Sequence, residues 1–237
     1  MNAIRRIVFT AAFAVAAWLA VFAVAAQASA MPPEAVMKNW YRLVLELVRH
    51  TPTYSPPVAS RSFAYLGIAS FEAIATGSQD LKSLAGQVHG LTPVPAREAG
   101  KTYDESVVLN AAISFAAQNF FTHTGPTGQR ALAAMEKKMR EKVIAGVAAD
   151  VATRSEAHGK AVAEHILAWS MDDGGAKIEN MGFPLKYELI KGPAHWLPTS
   201  KIGQQQVPLL PEWGNNRTFA MPDGGSCPLS PPLAYSE

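Results

Sequence analysis

An all-α fold is what this sequence predicts, and three observations carry the prediction. Apolar residues recur at helical spacing in five separate segments, Pro- and Gly-rich breaks divide those segments, and no pair of alternating stretches suggests a hairpin. The expected architecture is a bundle of about five helices after a signal peptide, followed by a long Pro-rich irregular wrap. The expected boundaries are 1–28 for the leader, 29–175 for the helical domain and 176–237 for the Pro/Gly-rich segment.

The first residues read as a targeting segment. Arg5 and Arg6 form a basic start, 7–26 is apolar apart from Thr10, and Ala26-Gln27-Ala28 and Ala28-Ser29-Ala30 offer the small-x-small pattern of a cleavage site. Pro32 and Pro33 disfavour the second cut, so cleavage after Ala28 is expected, and with it a periplasmic or secreted protein. The apolar run is also long enough for an uncleaved membrane anchor. Removing the leader takes away Arg5 and Arg6 and no acidic residue, so the formal charge of +2 falls to about zero. That balance excludes the basic footprint of a nucleic-acid binder, and leaves an uncleaved leader as the one route to a membrane. Cys227 is the single cysteine, which excludes an internal disulfide. An intermolecular bond, a missing partner cysteine and an inert thiol all remain open for it.

Pro33-Glu34 opens the first helix, with proline at the first helical position and Glu at the positive helix end. Val36, Trp40, Leu43, Val44, Leu47 and Val48 form its stripe. The prolines at 52, 56 and 57 break it. The second helix, over 57–75, is apolar nearly all round and should be central and buried. Its polar exceptions, Arg61, Tyr65 and Glu72, project within about 40° of one another. They read either as a structural seam, with Arg61 and Glu72 paired directly or through neighbours because unpaired buried charge is costly, or as a seam facing a site. After a loop over 77–100, Thr102 to Glu105 has the spacing of a capping box and starts the third helix, through Phe120. The fourth carries Leu132, Met135, Met139, Val143 and Ile144, with a charged outer face over 136–142. Asp150 is expected to cap the fifth, through Trp169, with Asp172-Asp173-Gly174 as its stop. Gly159 inside that helix costs about 1 kcal/mol relative to Ala and points to close helix packing.

The tail beyond Asp173 keeps Trp196, Trp213, Tyr235 and Leu209-Leu210, too apolar for simple disorder. It reads as a wrap that lies against something. Catalytic motifs are not evident: the six histidines are scattered, and there is no nucleophile elbow, phosphate loop, dinucleotide fingerprint or zinc-protease helix.

Several stretches taken in order carry a resemblance. Arg49-His50-Thr51-Pro52 follows Trp40, and Ser55-Pro56-Pro57-Val58-Ala59-Ser60-Arg61 leads into Ala64-Tyr65-Leu66-Gly67-Ile68-Ala69. Ser155, Gly159-Lys160-Ala161-Val162-Ala163 and Ile166-Leu167-Ala168-Trp169 come next. Gly192-Pro193-Ala194-His195-Trp196-Leu197-Pro198-Thr199 and Pro208-Leu209-Leu210-Pro211-Glu212-Trp213-Gly214 complete the set. Together they resemble the N-terminal half of bacterial vanadium-dependent haloperoxidase-like proteins, in the type 2 phosphatidic acid phosphatase superfamily. The resemblance implies an all-helical fold whose vanadate or phosphate is held by a Lys and Arg on one helix, a Pro-Ser-Gly-His segment, and a later Arg with a catalytic His, all in the C-terminal half. None of those motifs occurs here, so no catalytic, cofactor-binding or metal-binding residue carries over. An oxyanion needs several convergent cations, and Arg49, Arg61 and Lys160 form no evident cluster.

The leading expectation is therefore a truncated N-terminal scaffold half, silent alone, whose parent oxidises halide with vanadate and peroxide or hydrolyses phosphate esters. Its partner would be the missing C-terminal catalytic half or an equivalent helical partner. A rival is a non-enzymatic exported module that binds a partner through its apolar tail. A weaker one is a hydrolase using Arg61, Glu72 and a histidine. N-terminal sequencing of the protein exported by its native host is expected to begin at Ser29, and a product that still carries Arg5 and Arg6 would overturn the leader assignment.

Overall fold

In a computed structural model, residues 31–192, 195–198, 200–202 and 207–222 are described. The leader at 1–28, Cys227 and Tyr235 lie outside them. Among the described residues there are five α-helices and no strand, only an isolated bridge between Ala85 and Val88. The helices are α1 (Pro33–Arg49), α2 (Pro56–Ala75), α3 (Glu105–Phe120), α4 (Gly125–Ile144) and α5 (Ala149–Ser170). No helix among the described residues is long and apolar enough to cross a membrane.

The hub of the bundle is α3, which packs against all four other helices. Its buried side chains, including Val107, Val108, Leu109, Ala112, Ile113, Ala116, Ala117 and Phe120, face every direction. The sequence points to the second helix as the central one. That helix is indeed largely buried, but α3 combines apolar bulk with Ala111, Ala112, Ala116, Ala117 and Ser114, and small residues let neighbours close in from all sides. The Trp40 indole N–H on α1 donates to Asn110 Oδ1 on α3 at 2.9 Å, satisfying two groups that are almost fully buried. Tyr54, in the break between α1 and α2, packs its ring on Phe121 and donates from its hydroxyl to the Phe120 carbonyl at 3.2 Å. Burial pushes this phenol up to about 12, against a smaller lowering by the His123 backbone N–H.

Two helix starts differ from the sequence reading. The N-cap of α3 is Asp104, not Thr102: its carboxylate accepts the Val107 N–H at 3.0 Å. Glu105 is thereby released from any capping role and pairs with Arg97 instead. Asp150 lies inside the first turn of α5, behind Ala148, where it faces the helix dipole and Arg154 rather than capping the end.

Gly159 marks the closest approach of α5 to α3, because a Cβ there would overlap the Val108 carbonyl oxygen. The backbone on α3 has nowhere to move. Gly159→Ala is expected to destabilise by about 1–3 kcal/mol through overpacking, although Ala is the better helix former by about 1 kcal/mol. A shift of the urea midpoint to higher concentration would show that the two helices can separate at no cost.

Candidate functional site

Arg61 and Tyr65 meet at a carboxylate that lies 112 and 108 residues further along the chain. Asp173, just past the end of α5, is almost completely buried. Its Oδ2 accepts from Arg61 Nη2 at 2.7 Å and from the Tyr65 hydroxyl, and its Oδ1 accepts from the backbone N–H groups of Gly175 at 2.8 Å and Ala176 at 3.2 Å. Four donors thus satisfy one buried charge. The Gly175 position is left without a side chain because a Cβ would run into Arg61. Glu72, the third residue of the expected seam, does not join them. Its carboxylate turns to the loop after α2, accepting from Ser83 Oγ at 2.9 Å and from the Leu84 backbone N–H at 2.5 Å. The helical projection is shared, but the partners above α2 differ along its length.

The node also binds the segment near residue 217. Arg61 Nη2 donates to the Arg217 carbonyl at 2.7 Å, and the Arg217 N–H donates to the Asp173 carbonyl at 2.9 Å. The Arg217 guanidinium in turn donates to Asp172 at 2.8 Å and to the Trp169 carbonyl at 2.5 Å. Phe219 lies beneath the Arg61 guanidinium at 4.7 Å and packs edge-on to Tyr65. Asp173 and Arg217 were not singled out as site residues by their sequence context. The only local signal is the Asp172-Asp173-Gly174-Gly175 turn, which reads as a helix stop.

This arrangement suits holding rather than catalysis. Burial, and then the Asp173 carboxylate it donates to, push the Tyr65 phenol far above its ordinary value, with Arg61 opposing. Such a phenol is neither a base nor a nucleophile near neutrality. A vanadate or phosphate group does not fit here: the Arg61 charge is committed to Asp173, and an anion brought to it would meet a buried carboxylate. Arg49 and Lys160 sit elsewhere, beside Glu46 and Glu164. Among the described residues no group of three or more His, Cys, Asp or Glu could hold a metal ion. An open cavity of about 610 Å³ borders the node through Gly174 and Asn216, and is walled by Phe183, Leu210, Trp213 and Lys177.

The crystal structure of a bacterial vanadium-dependent iodoperoxidase superimposes with a TM-score of 0.63 and 26% sequence identity, covering 88% of this chain and 48% of that one. The fold is haloperoxidase-like. The chain corresponds to an N-terminal half of that fold, spanning about half the length of the solved relative. No family model and no curated protein matches it. Two members of the node, Arg61 and Tyr65, lie in stretches that carry the resemblance, while Asp173 and Arg217 lie in none of them.

A second polar cluster lies at the far end of α2. Arg97 forms a two-pronged pair with Glu105, at 2.5 and 2.7 Å, and donates from Nε to Thr76 Oγ1 at 3.2 Å. Thr76 Oγ1 also lies 2.9 Å from His158 Nε2. Burial, and then the Arg97 charge, hold the His158 imidazole below its ordinary pKa, with Glu105 opposing.

Two outcomes follow from these clusters. Asp173→Asn keeps the shape but strips the charge that Arg61 needs, and is expected to cost about 3–5 kcal/mol in chemical denaturation, while an unchanged midpoint would mean that Arg61 finds water instead. For His158, the folded state takes up a proton less readily than the unfolded chain. Stability should therefore fall as the pH drops below about 6.5 and level off below the lowered folded value. The difference between wild type and His158→Gln, measured across that window, should isolate this loss, and parallel profiles would refute it.

Proposed function

We propose that this chain is the helical scaffold half of a vanadium haloperoxidase-like protein, with the vanadate-binding residues supplied from outside it. The observation that carries this reading is the match to a bacterial vanadium-dependent iodoperoxidase over 88% of this chain and only 48% of the relative. The chemistry of the described residues supports it, since each strongly buried guanidinium is already matched to a carboxylate: Arg61 to Asp173 and Arg97 to Glu105. In the parent protein the reaction would be vanadate-dependent oxidation of halide by hydrogen peroxide, with this half shaping the approach to the oxyanion centre. The unit would extend over 29–175 with the segment from 176 onward leading toward the catalytic half, and the leader at 1–28 would direct it out of the cytoplasm.

Exposed apolar side chains in the segment after α5 support a partner for it. Trp213 packs against the bundle core, but Trp196 is 41% exposed, and Leu185, Ile190, Leu197 and Ile202 are all more than half exposed. Apolar side chains gathered in one segment mark an interaction surface. That supports a covering partner, which in this reading is the catalytic half.

The test is direct. Purified chain mixed with orthovanadate should show no bound resonance in vanadium NMR, and adding peroxide and iodide should give no iodide oxidation above the free-vanadate background. A bound resonance accompanied by turnover, both abolished by Arg61→Met, would place the oxyanion site within this chain and overturn the proposal.

A further inference from the structure

A cavity of about 440 Å³ in the segment after α5 is walled by Tyr187, Ile190, Trp196, Pro208, Leu209 and Pro211. No Asp, Glu, Lys or Arg lines it. The cavity beside the Asp173 node differs, since Lys177, Lys186, Glu179 and Glu212 border it. The proline wall is fixed from behind: the Leu210 N–H donates to the Gly182 carbonyl at 2.8 Å, and Pro208 is buried. Other lining side chains stay open, with Trp196 and Leu209 each 41% exposed and Ile190 55% exposed. A groove lined by aromatic rings, and free of charge, is the kind of surface on which a polyproline II segment docks.

The chain carries a segment of that chemistry outside the described residues. Residues 228–235 read Pro-Leu-Ser-Pro-Pro-Leu-Ala-Tyr. Polyproline II has three residues per turn, so the spacing sorts these side chains by edge. Pro228, Pro231 and Ala234 fall on one edge, Leu229, Pro232 and Tyr235 on the next, and Ser230 and Leu233 on the third. Two of the three edges are wholly apolar. From Gly224 to Ser236 there is no charged residue, which matches a cavity lined without charge. Reach is sufficient: the stretch from Pro222 to Pro231 spans up to about 30 Å when extended, against a radius of gyration of about 16 Å for a domain of this size.

We propose that residues 228–235 of this chain seat in the cavity at Tyr187 and Trp196 as a polyproline II segment, with the two apolar edges toward the cavity and the serine-bearing edge toward solvent. Prolines hold such a backbone extended before contact, so little conformational entropy is lost on docking. The tether adds to this. An effective concentration of about 1 mM for a short linker keeps a site whose Kd is about 0.1 mM roughly nine-tenths filled. The inference does not rest on the scaffold reading: a segment seated here covers Trp196 and Ile190 and leaves the exposed Leu185, Leu197 and Ile202 to a partner.

Cys227, the single cysteine, stands next to Pro228, so a nitroxide attached there reports where the segment lies. In the full chain the nitroxide should remove the Trp196 indole N–H resonance by paramagnetic broadening, compared with the same chain after the nitroxide is reduced. The Trp40 indole, buried in the bundle against Asn110, should persist and show that the fold is intact. Pro228→Ala combined with Pro231→Ala should return the Trp196 resonance with the nitroxide still in place. Mixing nitroxide-bearing chain at natural isotope abundance with nitrogen-15 Cys227→Ser chain should leave Trp196 visible, because the contact is made within one chain. Survival of Trp196 in the nitroxide-bearing chain, loss of Trp213 in its place, an undiminished loss in the proline variant, or a loss in the mixture, which would make the occupant a second copy, would each overturn the docking.

Discussion

A single buried carboxylate organises the described part of this protein. Asp173 collects Arg61 and Tyr65 from α2, two backbone N–H groups from its own turn, and through its carbonyl the backbone of Arg217. A charge that deep is tolerable only when every lone pair finds a donor. Meeting that condition forces three separate parts of the chain into one place: the start of α2, the end of α5, and the segment past residue 210. The aromatic side chains Phe120, Trp169 and Phe219 then close over Tyr65, so the polar node sits inside an apolar jacket that keeps water from competing for its bonds.

The second polar cluster works by the same rule at the opposite end of α2. Arg97 is matched by Glu105, and Thr76 Oγ1 lies within hydrogen-bond distance of both the Ala73 carbonyl and His158 Nε2. In the Asp173 node both carboxylate oxygens have donors, while Arg217 Nε and Asn216 Nδ2 nearby are buried without a partner.

The fold is similar to that of a bacterial vanadium-dependent iodoperoxidase. About half of that chain is matched here, and the matched part spends its buried cations on internal carboxylates. Oxyanion chemistry needs cations that are convergent and unspent. In the scaffold reading proposed above, cations neutralised inside the bundle do not compete for the oxyanion.

The helices were legible from the sequence alone, because apolar spacing and the proline breaks are local properties: the stripe from Val36 to Val48, the breaks at Pro52 and Pro56, and the tight seat at Gly159 all read directly. The grouping of Arg61 with Tyr65 on one face of α2 was legible for the same reason. Their partner was not. Asp173 looks like a helix stop in its own neighbourhood, and nothing local says that a side chain more than a hundred residues away completes it. Glu72 shows the converse, since a shared helical projection placed it beside Arg61 while the loop at 83–84 took it elsewhere. The Thr76–His158 contact belongs to the same class, joining side chains 82 residues apart. Periodicity is written in neighbours along the chain and so determines the elements. The pairing of buried charges is decided by which elements meet, and only the folded bundle settles that.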